Sequence, residues 1–367
     1  MATPLKDLYS PDFFDSFADI LKEFIQPFDK KKFVQSIFCE DWFEKELKER
    51  QKHTTSVLHT YLPQNFDQAC KIILDLSAKL KSKPFDFQGI EFLFLPEWIE
   101  KNGLLFPEKS IKIFEELTTF VTCEFAVRPF IANYPNQMVT SMTQWSKHKN
   151  EHVRRLASEG CRPRLPWGMA LTLFKTDPKP ILPILENLKN DPSEYVRRSV
   201  ANNLNDIAKD HPEITLKIAK NWFGKTKYTD TLLKHACRTL LKKGDARALK
   251  LFGLSSTINT KVSDFKILTP EVGIGNNLHF EFSLTNLEKE KQLIRVEYAI
   301  YYLLKSGEYG KKIFKISEKN YLPNQFVTIT KKHSFRAITT RVFYSGIQKL
   351  SILVNGCEKG VLSFELN

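Results

Sequence analysis

The sequence lacks the features that mark several common classes of protein. Its six cysteines are scattered over 367 residues, with no CxxC pair and no cysteine–histidine cluster at the spacing of metal ligands. No run of 18 or more apolar residues occurs, and the first ten residues lack the apolar segment of a signal peptide. We therefore expect no disulfide framework, no structural zinc and no membrane span, and we expect a cytoplasmic protein with reduced thiols.

The motifs of the common catalytic classes are missing as well. The chain has no G-x-S-x-G, no phosphate-binding G-x-x-x-x-G-K and no HExxH, and its eight histidines have no ligand-like spacing. These absences argue against ordinary hydrolases, kinases and metalloenzymes. We expect that the protein binds no metal and no cofactor.

The chain does carry an excess of positive charge. Its 55 Lys and Arg residues against 42 Asp and Glu residues give a formal net charge of +13. Such an excess favours a polyanionic partner such as nucleic acid, although a basic protein with no nucleic-acid role stays open. The length exceeds that of the usual single core and predicts two domains.

The first two thirds of the chain have helical periodicity. From about residue 11 to residue 252, apolar residues recur at three- and four-residue steps, and prolines and glycines divide the stretch into short helices. Residues 151–157 (EHVRRLA) resemble residues 194–200 (EYVRRSV), 43 positions later, and residues 235–240 form a weaker third copy. This spacing fits HEAT repeats, and it predicts that each copy is the second helix of an antiparallel pair in a stacked solenoid.

The last third of the chain has the alternation of β-strands. Asn355 and Gly356 are a two-residue hairpin signal. The predicted strands span residues 262–268, 278–285, 293–304, 313–317, 326–331, 335–343 and 349–366, the last divided at 354–356. Seven or eight strands in this length predict a β-sandwich. We place the domain boundary so that residues 1–255 form the helical-repeat domain and residues 256–367 the β-sandwich.

Three clusters in the helical part combine charged and apolar residues. In the first, Glu124 on a helix would lie at the edge of an apolar stripe, or it would form a surface ion pair with Arg128 four residues later. In the second, Pro163 and Pro166 would stiffen a turn that presents Trp167. An aromatic face beside arginines suits nucleic acid, but a core tryptophan beside a solvated arginine rim fits the same pattern.

The third cluster is a helix with two distinct faces. Its predicted core face consists of Val196, Val200, Leu204 and Ile207. Its second stripe holds short polar residues, namely Ser199, Asn202, Asn203 and Asp206. Short side chains suit the close approach of a sugar-phosphate backbone, and a polar seam between repeats is the alternative.

Residues 123–130 (CEFAVRPF), 154–167 (RRLASEGCRPRLPW) and 195–206 (YVRRSVANNLND) closely resemble the AlkC branch of the HEAT-like AlkC/AlkD DNA glycosylases, in order and in spacing. The resemblance implies hydrolysis of the N-glycosidic bond of 3-methyladenine and 3-methylcytosine in duplex DNA, which leaves an abasic site. It also implies that the lesion is reached by bending the duplex rather than by a deep base pocket. One AlkC subgroup carries a C-terminal immunoglobulin-like domain that helps to embrace DNA, and this agrees with the strands predicted above.

The resemblance also implies roles for individual residues. Trp167 would face the cationic base and the deoxyribose, while Glu124 and Glu159 would lie near the lesion. Asp206 would lie near the sugar, where we expect it to orient water and stabilise the oxocarbenium charge. The predicted DNA contacts are Arg128, Arg154, Arg155, Arg162, Arg164, Arg197, Arg198, Asn202 and Asn203, although some of these arginines must pair with the carboxylates instead. We expect a monomer acting on alkylated duplex DNA; a non-catalytic HEAT scaffold that binds DNA or protein is the alternative.

Overall fold

The computed structural model describes residues 4–82, 89–338 and 341–367. Within these ranges the chain forms sixteen α-helices followed by eight β-strands, so the predicted order of a helical-repeat part and a β-sandwich is confirmed. The helices are α1 (Pro11–Leu21), α2 (Lys30–Ile37), α3 (Leu47–Tyr61), α4 (Phe66–Lys81), α5 (Phe94–Asn102), α6 (Pro107–Leu117), α7 (Val127–Asn133), α8 (Pro135–Trp145), α9 (Glu151–Gly160), α10 (Thr172–Thr176), α11 (Leu182–Leu188), α12 (Glu194–Asp210), α13 (Pro212–Trp222), α14 (Lys227–Ala236), α15 (Arg238–Lys242) and α16 (Ala246–Leu251). In the part of the chain that is described, no helix is long and apolar enough to cross a membrane.

The chain divides into two compact units. One contains Met1–His211 and Trp222–Ala236, and the other contains Pro212–Asn221 and Cys237–Asn367. The helices α15 and α16 therefore belong to the same unit as the strands. The boundary predicted between residues 255 and 256 stays a prediction.

Local signals explain where the helices of the first unit begin. Prolines occupy the first position of α6, α8 and α13, where a missing N–H costs no helical hydrogen bond. The Ser10 hydroxyl accepts a hydrogen bond from the Phe13 amide at 3.1 Å, and the Asn150 side chain caps α9 by accepting from the His152 amide at 2.8 Å. The prolines and caps thus divide the helical pattern into short elements, as predicted.

Two of the three repeat copies form neighbouring helices. The first copy lies in α9 and the second in α12, and α12 packs against both α9 and α14. The third copy, residues 235–240, covers the end of α14 and the start of α15, with Cys237 between the two helices. The prediction that this copy forms one helix was therefore wrong. The predicted core face of α12, from Val196 to Ile207, is buried throughout.

Gly160 allows a close approach between α9 and α7. It is the last residue of α9, as predicted. A Cβ atom at this position would lie 2.8 Å from Cγ2 of Val127 and 3.1 Å from Cε of Met142, which is too close for ordinary contact. The glycine is required here by packing. The absence of a side chain lets the end of α9 pack closely against Val127, the first residue of α7.

The second unit contains two sheets. The strands are β1 (Thr260–Ile267), β2 (Glu271–Val272), β3 (Asn277–Asn286), β4 (Gln292–Leu303), β5 (Tyr309–Tyr321), β6 (Phe326–Ser334), β7 (Gly346–Val354) and β8 (Cys357–Leu366). One sheet has the order β1-β3-β6 and the other has the order β2-β8-β7-β4-β5. All neighbouring strands are antiparallel except the short parallel pair of β2 and β8. The predicted hairpin at Asn355 and Gly356 is confirmed, and both residues have positive φ (45° and 77°).

The sandwich core follows from the alternation along its strands. Phe280, Phe282 and Leu284 of β3 are fully buried and belong to one apolar cluster with residues of β4 and β7. Two details of the prediction were wrong. Strand β2 was not predicted, and in the described part of residues 335–343 there is no strand, only an isolated bridge between Ile338 and Arg341. Residues 339 and 340 lie outside the described residues.

Candidate active site

The candidate site is built around an ion pair between Arg162, just after α9, and Asp206, near the end of α12. Nε of Arg162 donates to Oδ2 of Asp206 at 2.9 Å, and Nη1 of Arg162 donates to Oε1 of Glu159 at 2.7 Å. Lys209 donates to the other oxygen of Asp206 at 3.0 Å. The Asp206 side chain is only 1% exposed. Glu159 and Asp206, predicted separately as site residues, are thus joined by one guanidinium.

Glu124 belongs to the same network. Nη1 of Arg155 donates to Oε2 of Glu124, and Nη2 of Arg155 lies 3.7 Å from Oε1 of Glu159. The Thr122 hydroxyl also donates to Glu124 at 2.8 Å. The structure therefore brings together all three predicted carboxylates.

Cations and carboxylates alternate through this cluster. Reading from one end, its members are Glu124, Arg155, Glu159, Arg162, Asp206 and Lys209. Burial opposes the charged form of Arg155 and of Arg162, but the nearby carboxylates outweigh it and raise the pKa of both guanidinium groups. Three carboxylates facing three cations give a cluster with no net charge in the absence of a ligand.

The local setting of Glu124 differs from the prediction. Glu124 lies in the loop between α6 and α7, not on a helix, and it pairs with Arg155 rather than with Arg128. The turn at residues 124–126 precedes the first residue of α7. From this loop the carboxylate reaches Arg155 of α9.

Arg128 was predicted as a phosphate contact, and the structure contradicts this because its side chain is fully buried. Its guanidinium donates to the backbone carbonyl oxygens of Met169 and Gly160. Burial lowers its pKa to about 10. Arg128 therefore ties the end of α9 to the segment that follows Trp167.

Trp167 lies on the protein surface, in the turn that follows Pro166. It is 68% exposed, so the core alternative was wrong. Its backbone has a φ of +64°, which is rare for a residue with a side chain. The amide of Gly168 donates to the carbonyl of Leu165, and the amide of Leu171 donates to the carbonyl of Pro163. The turn is thus held by backbone hydrogen bonds and by Arg128, and it presents the indole outwards.

Two more predicted DNA contacts are engaged within the protein. Arg154 makes a two-point contact to Asp191, with distances of 2.6 and 3.0 Å, and also donates to two carbonyl groups. Arg164 makes a similar contact to Asp210 at 2.6 and 3.1 Å. The structure therefore uses Arg154, like Arg162, to join neighbouring repeats. Arg164 is more exposed than Arg154.

The polar stripe of α12 is largely a seam between repeats. The hydroxyl groups of Ser158 and Ser199 are 2.7 Å apart, and the Asn203 side chain donates to the carbonyl of Ser158 at 2.8 Å. Asn203 is fully buried, which contradicts its predicted contact with DNA. Asn202 is partly exposed and lies 3.0 Å from Nε2 of His235.

A groove between α12 and α14 lies beside this stripe. Its volume is about 760 Å³. Its lining residues include Arg197, Arg198, Lys227, Tyr228 and His235. The Arg197 guanidinium lies 4.0 Å from the centre of the Tyr228 ring, and Arg198 is exposed. The three carboxylates do not line this groove, so it is separate from the charged cluster.

Tyr195 is a site residue that the sequence analysis did not single out. Tyr195 is 44% exposed, and Cζ of Arg155 lies 4.5 Å from the centre of its ring. His152 and Tyr195 occupy the same position in repeats that are 43 residues apart, and their rings are 6.0 Å apart. The repeat was therefore the signal that could have identified Tyr195.

A second group of ionisable residues lies next to Phe125. Nζ of Lys48 is 4.2 Å from the centre of the Phe125 ring, and Glu97 and Glu100 line a small cavity with Thr122. Burial and the charge of Glu97 raise the pKa of Glu100 to about 7, whereas burial lowers the pKa of Lys48. No local pattern indicated this group, because its members come from α3 and α5, far from Thr122 along the chain.

Comparisons with known proteins identify the family. Residues 115–240 match the DNA alkylation repair enzyme family, and residues 261–367 match the C-terminal immunoglobulin-like domain of the uncharacterised protein YhaZ. YhaZ of Bacillus subtilis (strain 168) is 41% identical over 362 residues, which is 99% of each chain. The alkylpurine DNA glycosylase AlkC of Pseudomonas fluorescens, solved with DNA containing an abasic site analog, is 33% identical over the full length of both chains, with a TM-score of 0.91. The protein belongs to the AlkC family of DNA alkylation repair enzymes.

AlkC family membership confirms the resemblance that the three sequence motifs indicated. It also confirms the fold predicted from that resemblance, a helical-repeat part followed by an immunoglobulin-like domain. The cysteine of the AlkC-type motif at Cys161 lies close to the charged cluster and accepts a hydrogen bond from Asn203. Burial raises the pKa of its thiol to about 12, so it is not suited to act as a nucleophile.

Proposed function

We propose that the protein is a monofunctional DNA glycosylase that hydrolyses the N-glycosidic bond of cationic alkylated bases, 3-methyladenine and 3-methylcytosine, in duplex DNA. The observation that carries the proposal is the convergence of Glu124, Glu159 and Asp206 on one charged cluster, in a chain that exposes Trp167 five residues after Arg162 of that cluster. The full-length similarity to an AlkC that was solved with abasic-site DNA supports DNA as the partner.

The chemistry of the reaction explains why carboxylates are needed. Alkylation gives the base a positive charge, which makes it a good leaving group, and its departure leaves positive charge on the sugar. Fixed carboxylates stabilise such charge more strongly at a partly desolvated site than in water. We assign Asp206 to the sugar and the attacking water, and Glu124 and Glu159 to the charge of the base.

The exposed ring of Trp167 supports an approach of the damaged base from the protein surface. Trp167 offers a flat ring outside the protein core, and a cation on such a ring gains about 0.5–2 kcal/mol. A lesion exposed by bending of the duplex can reach this ring without entering a deep pocket. We assign the flanking DNA backbone to the groove between α12 and α14, where Arg197, Arg198 and Lys227 supply positive charge.

The decisive experiment measures release of free methylated bases from methylated duplex DNA. We expect release of 3-methyladenine and 3-methylcytosine above the spontaneous rate, and we expect an abasic strand that breaks only after alkali treatment. Unmethylated duplex of the same sequence is the control. Absence of release would favour the alternative of a non-catalytic scaffold, and strand breakage without alkali would contradict the monofunctional assignment.

A further inference from the structure

We propose that Arg155 is an exchangeable counter-ion whose guanidinium occupies the position that the cationic base takes when damaged DNA binds. We call this position, formed by Glu124, Glu159 and the ring of Tyr195, the cation seat. The inference rests on the proposed function, because it explains how the site distinguishes a charged base from a neutral one.

The contacts of Arg155 define the shape of the cation seat. One nitrogen of the guanidinium donates to Glu124 and the other lies 3.7 Å from Glu159, so carboxylates lie at its edge. Its central carbon lies 4.5 Å from the centre of the Tyr195 ring, so an aromatic ring covers one face. The seat therefore holds a flat cation between acidic groups and a π-system.

An alkylated base has the same chemical character as this guanidinium. Both are planar cations with delocalised charge, and both gain from carboxylates at the edge and from an aromatic ring at the face. Replacement of one cation by the other leaves the charge of the seat unchanged. A neutral base in the seat would leave the buried carboxylates Glu124 and Glu159 without that cation, which is unfavourable.

Within the described residues, Arg155 is held by side chains alone, namely Glu124, Glu159, Thr122 and the ring of Tyr195. Arg162 bridges two carboxylates with a side chain only 8% exposed, whereas the Arg155 side chain is 15% exposed. Arg154 and Arg128 bind backbone carbonyl groups, and among the contacts described for the chain Arg155 has none of that kind. If Arg155 leaves, Glu159 keeps Arg162 and Glu124 keeps the hydroxyl of Thr122.

The first test asks whether the cation seat binds a free planar cation, without reference to activity. The full-length Arg155→Ala variant is melted in millimolar guanidinium chloride, far below denaturing concentrations, and in tetramethylammonium chloride at equal ionic strength. We expect a higher Tm in guanidinium only. The effect should persist in Arg155→Ala/Tyr195→Phe and disappear in Arg155→Ala/Tyr195→Ala. Equal Tm values in the two salts would overturn the proposal.

A matched control comes from the neighbouring arginine on α9. Arg154→Ala also removes a guanidinium from a carboxylate, Asp191, but the described contacts of Arg154 include no aromatic ring. We expect guanidinium to stabilise this variant much less than Arg155→Ala. An equal rise in Tm would show general ion pairing and would contradict a seat formed by Tyr195.

The second test asks whether the base uses the same seat. In Arg155→Ala, guanidinium should compete with the damaged nucleotide, so KM for base release should rise several-fold with kcat unchanged, while wild type is unaffected. Inactivity of Arg155→Ala beside an active wild type, or activation by guanidinium, would show that the reaction needs Arg155 and would overturn the exchange. Inactivity of both proteins would refute the proposed function, whereas the Tm test would still decide whether the seat binds planar cations.

Discussion

Nε of Arg162 lies 2.9 Å from Oδ2 of Asp206, and this contact joins the segment after α9 to the last part of α12. The second oxygen of Asp206 accepts from Lys209, and the side chain is almost wholly buried. A carboxylate held at both oxygens does not need to reorganise when positive charge develops beside it. Asp206 is therefore the residue whose chemistry can be tested most directly.

Replacement of Asp206 by Asn should lower kcat for base release by about 10²- to 10⁴-fold, the usual contribution of a positioned acid–base group. Asn keeps the shape of the side chain but cannot carry the charge. Because the change breaks a buried ion pair, it should also reduce the free energy of unfolding by about 3–5 kcal/mol. The assay of released base is therefore run well below the Tm of the variant.

The control for Asp206→Asn is Asp210→Asn, one helical turn later. Asp210 also pairs with an arginine, Arg164, but at a more exposed position. This variant should release bases at nearly the wild-type rate. Normal kcat in a folded Asp206→Asn protein would remove Asp206 from the chemistry.

Replacement of Trp167 by Ala should weaken base release about 2- to 30-fold, which corresponds to the loss of one cation–π contact of about 0.5–2 kcal/mol. The Tm should hardly change, because the ring is exposed and because Ala is as strained as Trp at a positive φ. Single-turnover base release and thermal melting measure the two effects. Trp167→Phe should keep part of the rate, and Leu105→Ala, at another exposed apolar position, should keep all of it. A large fall in Tm for Trp167→Ala would indicate a structural role instead.

Periodicity predicted the parts of the fold that depend on neighbouring residues in the sequence. The buried face of α12 follows from apolar residues at helical spacing, and the hairpin at Asn355 follows from the turn preference of Asn and Gly. Exposure of Trp167 was left open because a tryptophan between prolines can face either way. Only the backbone hydrogen bonds of the turn decide its direction.

The partners of charged side chains could not be predicted in the same way. Arg128 and Arg198 both look like surface cations in the sequence, yet Arg128 is buried and Arg198 is exposed. The difference arises because α9 and the Trp167 turn place carbonyl groups around Arg128. Likewise, Glu124 pairs with a residue 31 positions away, and no local pattern carries that information.

Replacement of Arg198 by Ala should weaken DNA binding to a similar degree for damaged and undamaged duplex. It should also lower the slope of log Kd against log salt by about one, since one phosphate contact releases about one counter-ion. Arg198 lines the α12–α14 groove and is exposed. Arg197→Ala should act in the same direction. Binding titrations over a range of salt concentrations measure the slope.

The contrast for Arg198→Ala is Arg128→Ala. Loss of the buried guanidinium should lower the Tm strongly, because two backbone carbonyl groups lose their partner, and should leave the salt slope of the folded protein unchanged. An unchanged slope for Arg198→Ala would show that this residue does not contact phosphate.

The stability of the β-sandwich should fall in acid because of His333. Its two ring nitrogens lie 3.0 Å from the hydroxyl of Tyr298 and 2.8 Å from the hydroxyl of Tyr302, inside the protein. Burial, together with the positive charges of Arg341 and Lys312, lowers its pKa from 6.5 to about 4. As the pH falls, the unfolded chain therefore takes up this proton before the folded protein does.

The sign of the effect follows from that order of protonation. Well above pH 6.5, His333 is neutral in both states and adds no pH dependence to the free energy of unfolding. Between pH 6.5 and 4 the unfolded state binds more protons at this residue, so the free energy of unfolding falls by up to about 3 kcal/mol. Urea unfolding followed by circular dichroism at several pH values measures this loss. His333→Gln should reduce the slope, and His279→Gln, at a half-buried position on β3, should retain it. An unchanged slope in His333→Gln would assign the acid sensitivity to other groups, because glutamine cannot take up the proton.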